Sequence, residues 1–110
     1  MNTITNDAKA AKTTYDIHDL ITQRYSPYVF DPDRTVSADD LAALFEAASW
    51  AANSFNEQPW RYIVATRGDT EAFETLWSCL SEGNQGWTKN ASVLALGVYK
   101  TDFSHNGKPN

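Results

Sequence analysis

Three short polar stretches hold the side chains of this sequence that could bind a ligand, and each lies between apolar segments. They are RYS at residues 24–26, NSFNEQ at residues 53–58 and NQGW at residues 84–87. Most of their polar groups are amides and hydroxyls, which both donate and accept hydrogen bonds. Such groups suit the edge of a heterocycle or the hydroxyls of a sugar better than they suit an ion. Each stretch also has a purely structural interpretation.

The first stretch could bind a phosphate or a polyol. Arg24 offers a planar guanidinium fork, and Tyr25 and Ser26 add hydroxyls and backbone donors. An arginine in the last turn of a helix also neutralises the helix C-terminus. Taken alone, these residues favour the structural interpretation.

The second and third stretches leave both interpretations open. Asn53, Ser54 and Asn56 could reach a heterocycle, or they could satisfy their own backbone with Asn56 in a left-handed turn. Asn84 stands close to Trp87, an arrangement that suits a planar ligand and is also explained by a turn.

Other kinds of catalytic or metal site have no signal in this sequence. It lacks a glycine-rich phosphate loop after a strand, a Cys or His pair at metal-ligand spacing and a nucleophile elbow. His18 and His105 are isolated, and the carboxylates fall at predicted caps and turns. We therefore predict no catalytic side chain and no metal ligand, and we expect the single cysteine, Cys79, to be a core thiol.

Composition narrows the classes of partner. The 110 residues carry a formal net charge of −5, so a basic surface for nucleic acid is not expected. No apolar run approaches the roughly 20 residues that cross a bilayer, and residues 1–14 lack the apolar centre of a signal peptide. We predict a cytoplasmic protein that binds neither nucleic acid nor membrane. Residues 1–14 are predicted to form a flexible arm, and residues 15–110 to belong to one domain.

Five elements are predicted to position the polar stretches. Asp16 is expected to cap a first helix that ends before Pro27, with Arg24 near its end. Ser37 is expected to cap a second helix, because Asp40 follows at capping-box spacing. The apolar stripe of this second helix is Leu41, Leu44, Phe45 and Ala48.

The second half of the chain alternates strand and helix. Residues 60–66 and 92–99 are predicted to be buried strands. Between them, Thr70 is expected to cap a helix that Gly83 ends, followed by a polar loop at 83–90. This order indicates an α+β or α/β layered fold, and two strands alone make a marginal sheet, so we expect part of a larger domain.

Three segments in this order resemble the FMN-dependent nitroreductase family. They are RYSPYVFD (24–31), EAASWAANSFNEQPWRYIVA (46–65) and GNQGWTKNASVLALGVY (83–99). The most specific feature is N-x-Q-P-W followed by an apolar strand. The resemblance implies an α+β, nitroreductase-like three-layer fold whose mixed or antiparallel sheet is covered by helices, with this chain as its N-terminal half. It also implies a homodimer with FMN at the interface.

The resemblance assigns roles to the polar residues. Arg24, Tyr25 and Ser26 would lie at the FMN phosphate, while Asn53, Ser54 and Asn56 would form the loop that reaches the flavin. Asn84 would lie near the polar edge of the ring, with Phe55 and Trp87 lining the substrate pocket.

The implied activity is electron transfer from NAD(P)H through FMN to nitroaromatic, quinone or similar small electrophilic acceptors, in ping-pong half-reactions. Because the cofactor would supply the chemistry, catalytic acids and bases are not needed. Two departures support an alternative, which is a truncated, non-enzymatic dimerisation or binding module without an intact flavin site. Tyr28 stands where the family often has a lysine or arginine, and the family domain is about twice as long as this chain.

Overall fold

The computed structural model describes residues 7–110, and residues 1–6, which belong to the predicted N-terminal arm, lie outside the described range. Six regular elements follow in chain order: α1 (Asp19–Thr22), α2 (Ala38–Ser49), β1 (Trp60–Thr66), α3 (Thr70–Ser78), α4 (Glu82–Thr88) and β2 (Val93–Tyr99). Short 3-10 turns occur at Asp7–Lys9 and Ser54–Asn56. None of the helices in the described range has the length and apolar character needed to cross a membrane.

The two strands form an antiparallel pair. Trp60 pairs with Tyr99 at one end, and Thr66 pairs with Val93 at the other. Both strands are rich in β-branched and aromatic residues, which is why the sequence identifies them so well. The prediction of β1 at residues 60–66 is confirmed, and β2 begins one residue later than predicted.

A small core lies where α3 packs across the strands. It is formed by Ala65 of β1, Phe73 of α3 and Ala91 just before β2, and Phe73 is only 7% exposed. Partly buried apolar residues pack around it, namely Phe30, Ala72, Leu76, Trp77 and Leu94. The core therefore covers one face at one end of the sheet.

Helix α2 and much of the sheet are exposed, although the sequence predicted buried strands and an α2 with a core-facing stripe. Leu44 is 62% exposed, and Tyr62 and Ile63 of β1 also face solvent in large part. Phe45 packs on Tyr62, with ring centroids 5.1 Å apart. The prediction of burial was wrong for most of these residues because α3 supplies a covering layer on only part of the sheet.

Helix α1 is shorter than predicted. It has four residues, and its cap is His18, whose Nδ1 accepts a hydrogen bond of 3.1 Å from the Leu20 amide. The predicted cap at Asp16 was wrong, and Arg24 lies beyond the C-cap, Gln23. A single exposed turn has little packing to extend it, since short helices depend on tertiary contacts.

The region after β1 also differs from the prediction. Asp69, and not Thr70, caps α3, because Asp69 Oδ1 accepts a hydrogen bond of 3.2 Å from the Ala72 amide. The helix ends well before Gly83, and Cys79 at its C-cap is exposed, so the expected core thiol was also wrong.

Helix α4 replaces the loop predicted at residues 83–90. Two contacts hold it in place despite its two glycines. Trp77 Nε1 donates to the Gln85 carbonyl at 3.0 Å, and buried Thr88 donates its hydroxyl to the Asn84 carbonyl at 2.6 Å. The tertiary contact from Trp77 and the hydrogen bond within the helix therefore offset the low helix propensity of Gly83 and Gly86.

Candidate functional site

The amide loop, residues 53–58, has an unusual backbone. Phe55, Asn56 and Gln58 all have positive φ angles, of 53°, 51° and 46°. Asparagine tolerates this left-handed region, as the structural interpretation of the sequence has it for Asn56, but phenylalanine and glutamine adopt it rarely. Each such residue costs about 1–3 kcal/mol and persists only where its surroundings enforce it.

Hydrogen bonds inside the amide loop account for part of its shape. Asn53 Oδ1 accepts a 2.7 Å hydrogen bond from the Gln58 amide, and Asn53 Nδ2 donates to the Ala51 carbonyl at 3.1 Å. Gln58 Nε2 donates to Asn56 Oδ1 at 3.1 Å. The structural interpretation therefore explains Asn53, whose two polar side-chain atoms are both used within the loop.

Ser54 and Asn56 remain available for a ligand. Both residues are exposed, and within residues 7–110 the Ser54 hydroxyl and Asn56 Nδ2 make no hydrogen bond to protein. The loop thus presents an uncharged hydroxyl and an uncharged amide donor from a fixed backbone, which suits the edge of a heterocycle.

Glu57 is the residue of this loop that sequence reasoning missed. Its Oε1 accepts hydrogen bonds from Lys100 Nζ at 2.7 Å, from the Ser104 amide at 2.8 Å and from the Ser104 hydroxyl at 2.6 Å. Lys100 Nζ also donates to the Ser104 hydroxyl. The Glu57 side chain is 7% exposed.

The environment of Glu57 strongly favours its ionised form. The hydrogen-bonded Lys100 ammonium and then the Ser104 hydroxyl lower the pKa of Glu57 from 4.5 to about 2, and burial opposes the shift only in part. No local signal identifies this role, because Lys100 lies 43 residues away in sequence.

Phe55, predicted to line a substrate pocket, projects from the amide loop and is 78% exposed. Its ring makes an edge contact with Phe103, with centroids 5.7 Å apart, and a tilted contact with His105 at 4.9 Å. The amide loop therefore has aromatic as well as polar contacts with the chain that follows β2.

The third polar stretch contacts Phe30, four residues after the end of the first stretch, through an aromatic pair. Phe30 stacks on Trp87 with centroids 5.6 Å apart and an interplanar angle of 25°. Trp87 Nε1 donates to Asn84 Oδ1 at 3.1 Å, and Asn84 Nδ2 donates to the Ser81 hydroxyl at 3.2 Å. Asn84 thus holds the Trp87 ring, and both ends of its amide are engaged within α4.

Arg67, which the sequence did not single out, joins the same regions. Its Nη2 donates to the Arg34 carbonyl at 2.6 Å, its Nη1 donates to the Asn90 carbonyl at 2.7 Å, and its backbone amide donates to Ser92 at 2.9 Å. One side chain therefore ties the segment after Phe30 to the start of β2.

Arg24, Tyr25 and Ser26 are exposed, and within the described part of the chain their side chains form no hydrogen bond or ion pair. Helix α1 has no basic residue in its last turn. The structural interpretation of Arg24, as the neutralising charge of a helix C-terminus, is therefore not supported, and its guanidinium is free for a ligand. Across residues 7–110, no hydrogen bond or aromatic contact joins the amide loop to the other two stretches.

One cavity is lined by none of the predicted site residues. It is an open groove of about 680 Å³ along α3, lined by Arg67, Thr70, Phe73, Glu74, Trp77, Ser78 and Lys89. Within residues 7–110, the unpaired polar groups of the predicted site residues lie in the amide loop and in the exposed first stretch, so we place the candidate site there and not in the groove. Among residues 7–110, no cluster of three or more His, Cys, Asp or Glu could hold a metal ion.

Comparison with known proteins follows the same segments. Residues 21–102 match the sequence profile of the Nitroreductase family. The chain is 50% identical over 91 residues to the "Major NAD(P)H-flavin oxidoreductase" of Aliivibrio fischeri, a match that covers 82% of this chain and 41% of that protein. It is 34% identical over 77 residues to the "Oxygen-insensitive NADPH nitroreductase" of Helicobacter acinonychis, covering 70% of this chain and 35% of that protein.

A solved structure shares the fold. The crystal structure of an oxidoreductase containing FMN superposes with a TM-score of 0.82 and 34% sequence identity, covering 100% of this chain and 54% of that one. This likeness confirms the predicted α+β fold. The chain spans less than half the length of the two curated relatives.

Proposed function

Because this chain belongs to the nitroreductase family, as its three motifs predicted, we propose that it serves an FMN-dependent oxidoreductase that uses NAD(P)H. The observation that carries the proposal is that the three polar stretches all lie, in order, within the family match at residues 21–102. The chain is also 50% identical over 91 residues to an NAD(P)H-flavin oxidoreductase. When bound, FMN would supply two-electron redox chemistry in ping-pong half-reactions, oxidising NAD(P)H and then reducing a nitroaromatic, a quinone or a similar small electrophile.

The chemistry of the available groups fits this cofactor. Arg24 presents an unpaired guanidinium beside the exposed Ser26 hydroxyl, a pair suited to the FMN phosphate. Ser54 and Asn56 offer uncharged groups suited to the polar edge of the flavin ring. Tyr25 is proposed to contribute at the phosphate, as the motif implies.

Other predicted residues act by holding these groups. Asn53 fixes the amide loop by accepting the Gln58 amide hydrogen bond. Asn84 orients Trp87, and we propose that Trp87 and Phe55 line the acceptor pocket, where their exposed rings would stack on a planar molecule and exclude water. In this mechanism the protein binds and orients, and none of its side chains transfers a proton.

We further propose that the protein works as a homodimer with FMN at the interface. Leu44 on α2 and Trp50 at its end are 62% and 83% exposed, a level of apolar exposure that is typical of association surfaces. We propose the cytoplasm as its location, because a single cysteine suits a reducing compartment. Residues 1–14 are proposed as an arm and residues 15–110 as the N-terminal portion of one flavin domain.

The direct test is reconstitution of the purified chain with FMN, alone and together with the C-terminal half of the A. fischeri relative. We expect a protein-bound flavin absorbance band, with acceptor-dependent NAD(P)H oxidation in the complemented sample. Absence of the flavin band from both samples would exclude the proposal.

A non-enzymatic dimerisation or binding module is the second candidate. Tyr28 favours it, because this exposed side chain supplies no cation where the family often has one. Association of the chain without any flavin binding would support the module. Flavin-dependent turnover by the chain, alone or complemented, would exclude it.

A further inference from the structure

The amide loop is fastened to the segment that follows β2. We call residues 100–105 the anchor segment. It contributes Lys100 and Ser104, which donate three hydrogen bonds to a single oxygen of Glu57. The backbone joins there as well, since the Lys100 amide donates to the Pro59 carbonyl at 2.9 Å.

The anchor segment is itself an ordered turn. The Phe103 amide donates to the Lys108 carbonyl and the Gly107 amide donates back to the Phe103 carbonyl, both at 2.8 Å. Asp102 and Pro109 form a β-bridge next to this turn. Ser104 therefore offers its amide and hydroxyl from a fixed position, which a freely moving terminus could not do.

Glu57 acts where the loop backbone is most strained. It stands between Asn56 and Gln58, whose φ angles are 51° and 46°. Left-handed backbone at such residues persists only when surrounding contacts enforce it. The hydrogen bonds of Glu57 hold the backbone on both sides, and Arg61 adds a 2.9 Å hydrogen bond from Nη1 to the Gln58 carbonyl.

Aromatic contacts connect the same two segments independently of Glu57. Phe55, also left-handed with a φ of 53°, packs against both Phe103 and His105. These two rings also contact each other, with centroids 5.4 Å apart. The anchor segment thus holds both the polar and the aromatic side of the amide loop.

The comparisons do not account for this arrangement. The family match ends at residue 102, so Phe103, Ser104 and His105 lie beyond it. Glu57 falls at the unspecified position of the N-x-Q-P-W motif, between Asn56 and Gln58. Neither the motif nor the family match therefore specifies the contact between Glu57 and Ser104.

We propose that Glu57 is a positioning residue for flavin binding, and that with Lys100 and Ser104 it forms a latch that holds the amide loop in its binding shape. Glu57 faces away from the ligand, since its carboxylate is engaged by the anchor segment, and it acts through Ser54 and Asn56. This inference rests on the proposed FMN function.

The test compares two variants that open the latch with two that do not. Glu57→Gln keeps the shape of the side chain and removes its charge, and Lys100→Met removes the cation. Glu74→Gln is the matched control, because it removes one negative charge from an exposed position on α3. Lys100→Arg retains a cation and should preserve the latch.

Two measurements are made on the full chain. Hydrogen exchange of the residue 53–58 amides reports on the latch without any cofactor, and β1 amides serve as the internal reference. Fluorescence titration with FMN, on the chain complemented as in the reconstitution, reports on binding. In Glu57→Gln and Lys100→Met we expect loop exchange to accelerate and the FMN dissociation constant to rise by about tenfold, with β1 exchange unchanged. Glu74→Gln and Lys100→Arg should match the wild type in both.

The outcomes separate this inference from the proposed function. Unchanged loop exchange in Glu57→Gln would overturn the latch whether or not FMN binds. Faster loop exchange with unchanged FMN affinity would overturn the positioning role and leave Glu57 a stabilising residue. A wild-type sample that binds no FMN would overturn the proposed function and the positioning role together, and the exchange data would still determine whether the latch exists.

Discussion

At Asn56 the backbone and the side chain have separate roles that substitution can distinguish. Its φ of 51° suits glycine, whereas alanine adopts this region at a cost. We expect Asn56→Ala to lower the free energy of unfolding by about 1 kcal/mol, and Asn56→Gly to lower it less. Both variants remove the amide and should weaken FMN retention similarly. Urea denaturation and FMN titration measure the two effects, and equal destabilisation by both variants would contradict the backbone argument.

Glu57 makes the folding stability of the protein depend on pH in the acidic range. The carboxyl titrates at about 2 in the folded protein against a usual value of 4.5, so its ionised form is stabilised by folding. That stabilisation is complete above the unfolded pKa of 4.5 and is lost as the pH falls from 4.5 through about 2. We expect the difference in Tm between the wild type and Glu57→Gln to be constant near neutral pH and to shrink over this window. Thermal unfolding across pH measures it, and a difference that grows at low pH would contradict the sign.

The residues that sequence reasoning found are those recognised by local pattern. The left-handed turn at Asn56 follows from the preferences of asparagine, and it belongs to one of the two interpretations that the sequence left open. Glu57 and Arg67 were missed because their partners lie far along the chain: Lys100 is 43 residues from Glu57, and Arg34 is 33 residues from Arg67. Whether the predicted site residues bind FMN stays a prediction.

Among the elements, α3 carries Phe73, the aromatic residue of the small core. We therefore expect the N-cap of α3 to contribute to folding stability. Asp69 accepts the Ala72 amide hydrogen bond, whereas Thr70 is the first helical residue. We expect Asp69→Ala to cost about 1 kcal/mol of folding stability, and Asp69→Asn to retain most of it because the acceptor remains. Thr70→Ala should cost clearly less. Chemical denaturation of the three variants measures these losses of stability. A loss in Thr70→Ala equal to that in Asp69→Ala would contradict the assignment of Asp69 as the cap.

The prediction of helices and strands succeeded where a single local sequence pattern was strong. Strand β1 follows from its β-branched and aromatic residues, and α2 follows from Ser37, which accepts the Asp40 amide hydrogen bond at 3.0 Å. Helix α4 was missed because Gly83 and Gly86 argue against a helix, and the contacts that hold it come from Trp77 on another element. Tertiary contacts of this kind leave no local pattern.

At the scale of the whole molecule, exposed surface is the distinguishing property. The accessible surface is 9077 Å², whereas a compact monomer of this length would expose about 6,100 Å². The radius of gyration is 17.1 Å, against about 13 Å for a compact domain. Large apolar side chains on α2 and the sheet are among the exposed residues, and such surfaces favour association.

This surface leads to a prediction about assembly. Trp50 is 83% exposed at the end of α2, and large aromatic residues often dominate interface energies. We expect the chain to self-associate, and Trp50→Ser to raise the dissociation constant by about tenfold. Tyr15→Ser, which also removes an exposed aromatic ring, is the control and should leave association unchanged. Sedimentation velocity at several concentrations measures the association of both variants. Equal effects of the two substitutions would contradict the assignment of α2 to the interface.

Arg67 also bears on the order in which the chain assembles during synthesis. Its guanidinium joins the carbonyls of Arg34 and Asn90, so the link cannot close until Asn90 has left the ribosome. Strand β1 also waits for a later segment, because its partner β2 begins only at Val93. The nascent chain therefore carries an unpaired β1 while residues 67–99 are made, and chaperone binding in that interval should centre on residues 60–66.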